Sequence, residues 1–236
     1  WLRKHSGAGA YEVFWGPMLR GKFGEVFYDQ VGMAWVWGKI HTRFASRGRG
    51  MSNEMLVYPI GSFGEVFDAL AEKIKCHGNE VHLSASVNRI IAEGGSATGI
   101  EVRLQKKNAQ IEEFDAIIST TPSNIFSRLI PSLPEDYHRK LDNVNYMAAV
   151  LVILILDRPL SKVYWLNVAD RSIPFVGVIE HTNLIGPEYY GGKHIVYLTN
   201  YLQKNHPFYA MEREELLQEY MPHLRKINPD FDPSWI

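Results

Sequence analysis

Residues Ala148 to Leu156 form the longest apolar run in the chain, Ala-Ala-Val-Leu-Val-Ile-Leu-Ile-Leu. A helix that crosses a bilayer needs roughly 20 such residues, so this run is far too short to span one. It reads instead as a buried strand, which requires sheet partners and a layer packed against it. The sheet is expected from strands over 145–156, 163–168, 175–179 and 194–201. The layer is expected from Glu212 to Lys226, where Leu216, Leu217, Tyr220 and Leu224 recur at helical spacing.

Upstream, the elements are shorter. Leu56-Val57-Tyr58-Pro59 predicts a strand running into a turn at Ile60-Gly61-Ser62. Ser62 is placed to cap a helix whose apolar positions, Phe63, Val66, Phe67, Leu70 and Ile74, follow the i, i+3, i+4, i+7 rule, and His77-Gly78 ends it. Val81 and Leu83 start a strand, Val87 to Ala92 form another, and Gly94-Gly95 turns the chain into Ile100, Val102 and Leu104. Lys106-Lys107-Asn108 turns it again into a strand from Ile111 to Ser119, completing a three-stranded meander. Helices come next, from Thr121-Pro122 to Leu129 and from Pro134 to Leu141. Residues 1–50 predict short helices broken at Gly7, Gly16, Gly21, Gly32 and Gly38, with Arg47-Gly48-Arg49-Gly50 as a solvated loop.

Composition narrows the function classes. Of 236 residues, 46% are hydrophobic and 22% charged, a globular balance that argues against disorder. A formal net charge of −1 provides no footprint for nucleic acid or an anionic membrane. A single cysteine, Cys76, rules out an internal disulfide framework and fits a reducing, cytoplasmic setting. The chain opens without Met and closes on Pro233-Ser234-Trp235-Ile236, so both ends look cut from a longer polypeptide. Nine histidines are scattered without HExxH or CxxC, and no metal site is expected. GxSxG, a Walker A loop and GxGxxG are also absent.

The Pro59-Ile60-Gly61-Ser62 corner gains meaning from the segments downstream of it. A helix is succeeded by Gly78-Asn79-Glu80-Val81-His82-Leu83, by Val87 and Ile90, by Gly99-Ile100, and by Asp115 to Pro122. This order resembles the superfamily of flavin-containing amine oxidases, protoporphyrinogen oxidases and phytoene desaturases. Its members string together Pro-x-Gly-Gly, a helix, G-x-x-V-x-L-x-x-x-V-x-x-I, G-V and D-x-V-I-x-T-x-P. The match is best over 56–133 and looser toward both ends.

The resemblance implies FAD as cofactor of the intact protein, with Pro59, Gly61, Ser62, Val87, Thr120 and Pro122 on its side. Ser62 stands where the motif has its second glycine. The dinucleotide fingerprint and a C-terminal Gly-rich flavin segment would lie in N- and C-terminal parts of the same chain, outside these residues, so this stretch alone is expected to be inactive and to bind no flavin tightly.

For the substrate side, Glu180 and His181 attract notice because two ionisable groups close the apolar stretch Phe175–Ile179. A solvated turn before Asn183 is the plainer reading; a pocket wall, joined by Trp165, Asn167 and Tyr201, is the functional one. Alternation allows only one of the pair to face a cavity, and His181 is the better candidate. Arg20 and Lys22 are weighed as anion binders, with a surface face the plainer reading.

These readings combine into an α+β fold: helices over 1–55, a partial FAD-binding lobe with the meander over 56–133, and a mostly antiparallel substrate-domain sheet with helices over 134–236. The implied activity is hydride transfer from a C–H or C–N bond of a small, apolar or aromatic organic substrate to flavin, with no catalytic residue assigned. A flavin-dependent isomerase or mutase of related fold, or a non-enzymatic binding module, are the alternatives.

Overall fold

The computed structural model describes residues 1–47, 57–105, 107–203 and 205–236. Arg47 ends the first described segment, so the expected loop at Gly48-Arg49-Gly50, the strand start at Leu56 and the turn residue Lys106 lie outside the described residues. Helices combine with two antiparallel sheets, the α+β class expected. The chain divides into two compact units, Trp1–Met51 with Tyr146–Ile236, and Ser52–Asn145.

In the larger unit, strands β4 (Ala148–Leu156), β5 (Trp165–Asn167), β6 (Gly177–Glu180) and β7 (His194–Leu202) form a sheet in the order β4-β7-β6-β5. Helix α8 (Arg213–Ile227) covers one face. Its capping box is reciprocal: the Glu212 side chain accepts the N3 backbone N–H while Glu215 accepts the N–H of Glu212 at 3.1 Å. Leu216, Tyr220 and Leu224 project at helical spacing into a core with Val150, Leu154, Leu156, Phe175, Val178, Val196, Leu198 and Phe231. Asn200, buried beside them, donates to the carbonyl of Pro174 and to the Tyr220 hydroxyl, so its burial is compensated.

The N-terminal helices α1 (Leu2–Ser6), α2 (Ala8–Ala10), α3 (Gly16–Phe27) and α4 (Met33–Ala45), with a π-helical turn at Tyr11–Trp15, gather around Leu2, Leu19 and Val36. Of the five glycines expected to break helices, Gly7 and Gly32 lie between them, Gly16 begins α3, and Gly21 and Gly38 sit inside helices. The interruption falls instead at Gly24, whose φ of 70° kinks α3.

In the smaller unit, β1 (Ala85–Glu93), β2 (Ser96–Leu104) and β3 (Gln110–Glu113) form the meander, with Gly94 and Gly95 at φ 60° and 84° in the first turn. The third strand stops at Glu113 rather than Ser119, and Val81 and Leu83 precede the sheet without joining it. Helix α5 (Gly64–Cys76) begins where its period predicts, yet none of its residues is buried. Phe63, Val66, Phe67, Leu70 and Ile74 all stay exposed. Helices α6 (Ser123–Leu129) and α7 (Glu135–Asp142) belong together: Ser123 donates to the Leu141 carbonyl at 2.9 Å, and Ser127 shares a hydrogen bond with His138 at 2.8 Å. The smaller compact unit therefore runs through α7, to Asn145.

Among the described residues, no helix is long and apolar enough to cross a membrane, and no group of three His, Cys, Asp or Glu could hold a metal ion. Phe175→Ala, in the core, is expected to cost about 3–5 kcal/mol, whereas Ile153→Ala, on the exposed side of the same sheet, should cost under about 1 kcal/mol. Urea unfolding of both variants checks this, and equal losses would contradict the assignment of faces.

Candidate functional site

The two faces of the four-stranded sheet differ in kind. With a two-residue period, β4 turns Val150, Val152, Leu154 and Leu156 toward the core and Leu151, Ile153 and Ile155 away from it. The last three remain 48%, 53% and 56% exposed, so this run is buried on one side only, not throughout as its composition suggested. Register carries that parity across the sheet. Ile153, Tyr197, Ile179 and Trp165 form one cross-strand row, and Leu151, Thr199, Gly177 and Asn167 form the next.

Gly177 has a packing reason. A Cβ there would meet Thr199 Oγ1 at 2.8 Å, so the absent side chain makes room for the Thr199 hydroxyl, which donates to the Gly177 carbonyl at 3.4 Å. The Trp165 indole N–H donates to Asn167 Oδ1 at 3.0 Å, tying two of the candidates together. Tyr201 shares the parity of Thr199, and the Lys22 ammonium lies 4.3 Å from its ring centroid. Lys22 is thereby engaged with the sheet.

Glu180 and His181 part company, as alternation requires. Glu180 faces the core with 0% exposure. Its Oε2 accepts the N–H groups of Leu160 and Ser161, each at 3.1 Å, and its Oε1 accepts the Thr182 hydroxyl at 3.3 Å, with His194 Nδ1 at 3.7 Å. Burial pushes the carboxyl above the usual carboxylate range, while these N–H and hydroxyl donors pull the other way. His181 opens a 3-10 turn, His181–Asn183. Its Nε2 shares a 2.6 Å hydrogen bond with the Tyr190 hydroxyl, and its ring stands edge-on to Tyr190 and Tyr197. Desolvation lowers its pKa, which keeps the imidazole neutral near pH 7. With Glu180 and Thr182 buried, the solvated-turn reading of this segment does not hold.

Trp165, Asn167, His181 and Tyr201 therefore belong to the open side of the sheet, and Glu180 supports it from beneath. Sequence reasoning did not single out Tyr190, Tyr197, Ile179 and Gly177. The odd-numbered parity of β7, shared by Tyr197 and Tyr201, is the signal that would have found Tyr197.

The six cofactor-side candidates lie in the smaller unit on three segments: the turn before α5, strand β1, and the stretch leading into α6. Gly61 and Ser62 adopt φ of 86° and 78° in succession, so Ser62, where the motif has a glycine, takes up the left-handed backbone that glycine adopts without strain. The Ser62 N–H donates to the Pro59 carbonyl at 3.0 Å, and Ser62 Oγ accepts the Gly64 N–H at 3.1 Å in place of a regular helix cap. This turn is exposed, with Ile60 at 89%; Val87 at 38%, Thr120 and Pro122 are exposed as well. An exposed corner with two left-handed residues at the head of a helix fits the close backbone approach that a flat cofactor edge requires.

Glu180 yields a test of its supporting role. A raised folded-state pKa contributes stability that is complete below the ordinary carboxylate value and is lost as pH climbs through the folded value. Glu180→Gln keeps an accepting oxygen without charge, so it should lie within about 1 kcal/mol of the wild type at pH 4 and match or exceed it at pH 7. Glu180→Ala leaves the Leu160 and Ser161 N–H groups unpaired and should cost about 3 kcal/mol at pH 4 and less at pH 7, where the wild type has itself lost stability. Denaturant unfolding at the two pH values decides; a Gln variant as weak as the Ala variant at pH 7 would show that the charge itself is needed.

Comparison with solved structures shows which folds share this arrangement. An oxidoreductase from Methanosarcina mazei matches 73% of this chain at 23% identity with a TM-score of 0.60. Reduced UDP-galactopyranose mutase matches 96% at 17% identity and 0.67. A putrescine oxidase double mutant, redesigned in its cofactor binding, matches 71% at 18% identity and 0.50. The chain covers 40%, 50% and 35% of those chains, half their length at most. No curated protein matches the chain. The family model of flavin-containing amine oxidoreductases matches residues 18–235, nearly the whole sequence and both compact units, and the chain is a member of that family.

Proposed function

We propose that the chain forms the substrate-side part of an FAD-dependent oxidoreductase that removes hydride from a C–H or C–N bond of a small apolar or aromatic molecule. The observation that carries this reading is the sheet face away from α8, where half-buried Tyr197 and Tyr201 stand with exposed Trp165, Leu151, Ile153 and Ile155. An apolar and aromatic face left partly open among the described residues suits a ligand that lies against it. FAD, when bound, supplies the hydride-accepting ring. Pro59, Gly61, Ser62, Val87, Thr120 and Pro122 would hold one side of it.

The chain's own residues then divide the work. The aromatic row excludes water from the substrate and orients it by packing. His181, neutral and fixed through Nε2 by Tyr190, positions a polar group of the substrate or accepts a proton from it. Glu180 holds the 160–161 backbone beneath the face and takes no part in the chemistry.

The likeness to UDP-galactopyranose mutase over 96% of the chain supports a second reading, a flavin-dependent isomerisation without net redox. Anaerobic mixing of the FAD-loaded full-length protein with panels of primary amines and of cyclic olefins separates the two. Bleaching of the oxidised-flavin band by substrate supports the oxidoreductase; turnover of a sugar nucleotide with no electron acceptor supports the mutase.

In the same loaded protein, His181→Ala should slow flavin reduction by about 10²-fold or more. Flavin content should hold, and stability should change by less than about 1 kcal/mol. A stability loss of several kcal/mol with unaltered reduction would make His181 a structural residue. The 236-residue chain by itself should purify colourless, since it carries no GxGxxG loop to hold a pyrophosphate; a yellow protein with near-stoichiometric FAD would relocate the cofactor site.

A further inference from the structure

A cavity of about 450 Å³ opens among the N-terminal helices, and it shares no lining residue with the sheet face. Its floor is apolar: Leu2, Leu19 and Val36 are 8%, 4% and 2% exposed. Tyr11 and Tyr28 line it as well. The volume falls in the range of small-molecule sites, roughly 300–1,000 Å³, and suits a ligand of one or two rings.

Its one deeply set charge is Arg20. The side chain is 13% exposed, its guanidinium lies 5.5 Å from the Tyr28 ring centroid, and it nestles over Gly16, where a Cβ would stand 3.1 Å from one of its nitrogens. Gly16 thus makes room for the guanidinium. Among the described residues, Arg20 has one ionic partner, Glu25 at 3.7 Å, which is beyond hydrogen-bonding distance.

Glu25 is shared with Arg171, whose nitrogen lies 3.4 Å from the same oxygen. Of the other charges on the cavity, Arg3 pairs with Glu12 at 3.5 Å, and Asp29 sits at the exposed rim. Arg171 and Glu25 meet at the surface, 65% and 60% exposed, so among the described residues Arg20 is the one cation set into the cavity, and its planar donors are left for a ligand.

We infer that this cavity binds an organic anion, a carboxylate or phosphate carried on an apolar ring-sized body, with the acid group on Arg20 and the body between the tyrosines over the Leu19 and Val36 floor. The surface-face reading of Arg20 from sequence is replaced by this one; that of Lys22 is not, because Lys22 is exposed and lies on Tyr201.

Isothermal titration of the 236-residue chain with 1-naphthoate, 1-naphthyl phosphate and the neutral 1-naphthalenemethanol tests the assignment. At least one anion should bind about tenfold or more tightly than the alcohol, the factor expected of a charge-assisted hydrogen bond, and which anion wins separates the carboxylate from the phosphate class. Arg20→Ala should remove the preference for the anion. Arg20→Lys, which keeps the charge without the fork, should retain part of it and serves should the alanine variant fail to fold. Equal binding of alcohol and anions, or an undiminished preference in a folded Arg20→Ala variant, would overturn the proposal.

Discussion

The Glu180 carboxylate has no access to solvent, yet it accepts backbone N–H groups from Leu160 and Ser161 and the hydroxyl of Thr182. Leu160 and Ser161 lie in the connection that leaves β4, Glu180 closes β6, and Thr182 belongs to the turn that carries His181. One side chain therefore joins the exit of an edge strand to the end of an inner one. Isolated burial of a carboxylate would cost several kcal/mol; here each oxygen is met by donors, so burial becomes positional order. That clamp fixes where the 3-10 turn leaves β6, and the Tyr190 hydroxyl then holds the His181 ring beside Tyr197.

The sheet's two sides divide the labour accordingly. Toward α8 the side chains interdigitate, and Asn200, polar and buried like Glu180, finds partners in Pro174 and Tyr220. On the reverse side large apolar and aromatic groups remain in view, arranged in rows by the register alone. Membership in the flavin-containing amine oxidoreductase family gives that asymmetry a rationale, since a sheet with one face committed to structure can commit the other to a ligand.

Much of this was legible in the residues. The apolar run of β4, the strands that become β6 and β7, the amphipathic period of α8 and the Gly94-Gly95 turn each express a rule that local chemistry enforces, and each appears within a few residues of where it was expected. The opposite facing of Glu180 and His181 needed only the two-residue period of a strand. What escaped depended on partners distant in sequence. The period of α5 reveals an apolar face but cannot say whether anything covers it, and in this structure its five apolar positions are exposed. Arg20 differs, since its neighbours Gly16, Glu25 and Tyr28 are close in sequence, but only the path of the chain after α3 shows that they enclose it. Ser62 shows a third kind of gap: the residue type says nothing of its left-handed backbone, which its own hydroxyl, bonded to Gly64, accompanies.

The pairing pattern also orders events in time. β1 and β2 meet across a two-glycine turn, a local closure that hairpins complete in roughly 1–10 μs. β4 instead pairs with β7, Ala148 opposite Leu202 and Leu156 opposite His194, with β5 and β6 in the intervening chain. Loop-closure entropy must be met before that ladder returns any free energy, so the long-range sheet is the slower to assemble. Throughout that delay the nine uncharged residues of β4 have both faces and both backbone edges open to other chains. Among the described residues β4 stays at an edge, with no lysine or proline along it to discourage pairing. A nascent chain of this sequence thus has β4 without its ladder partner until its own residues 194–202 have been made.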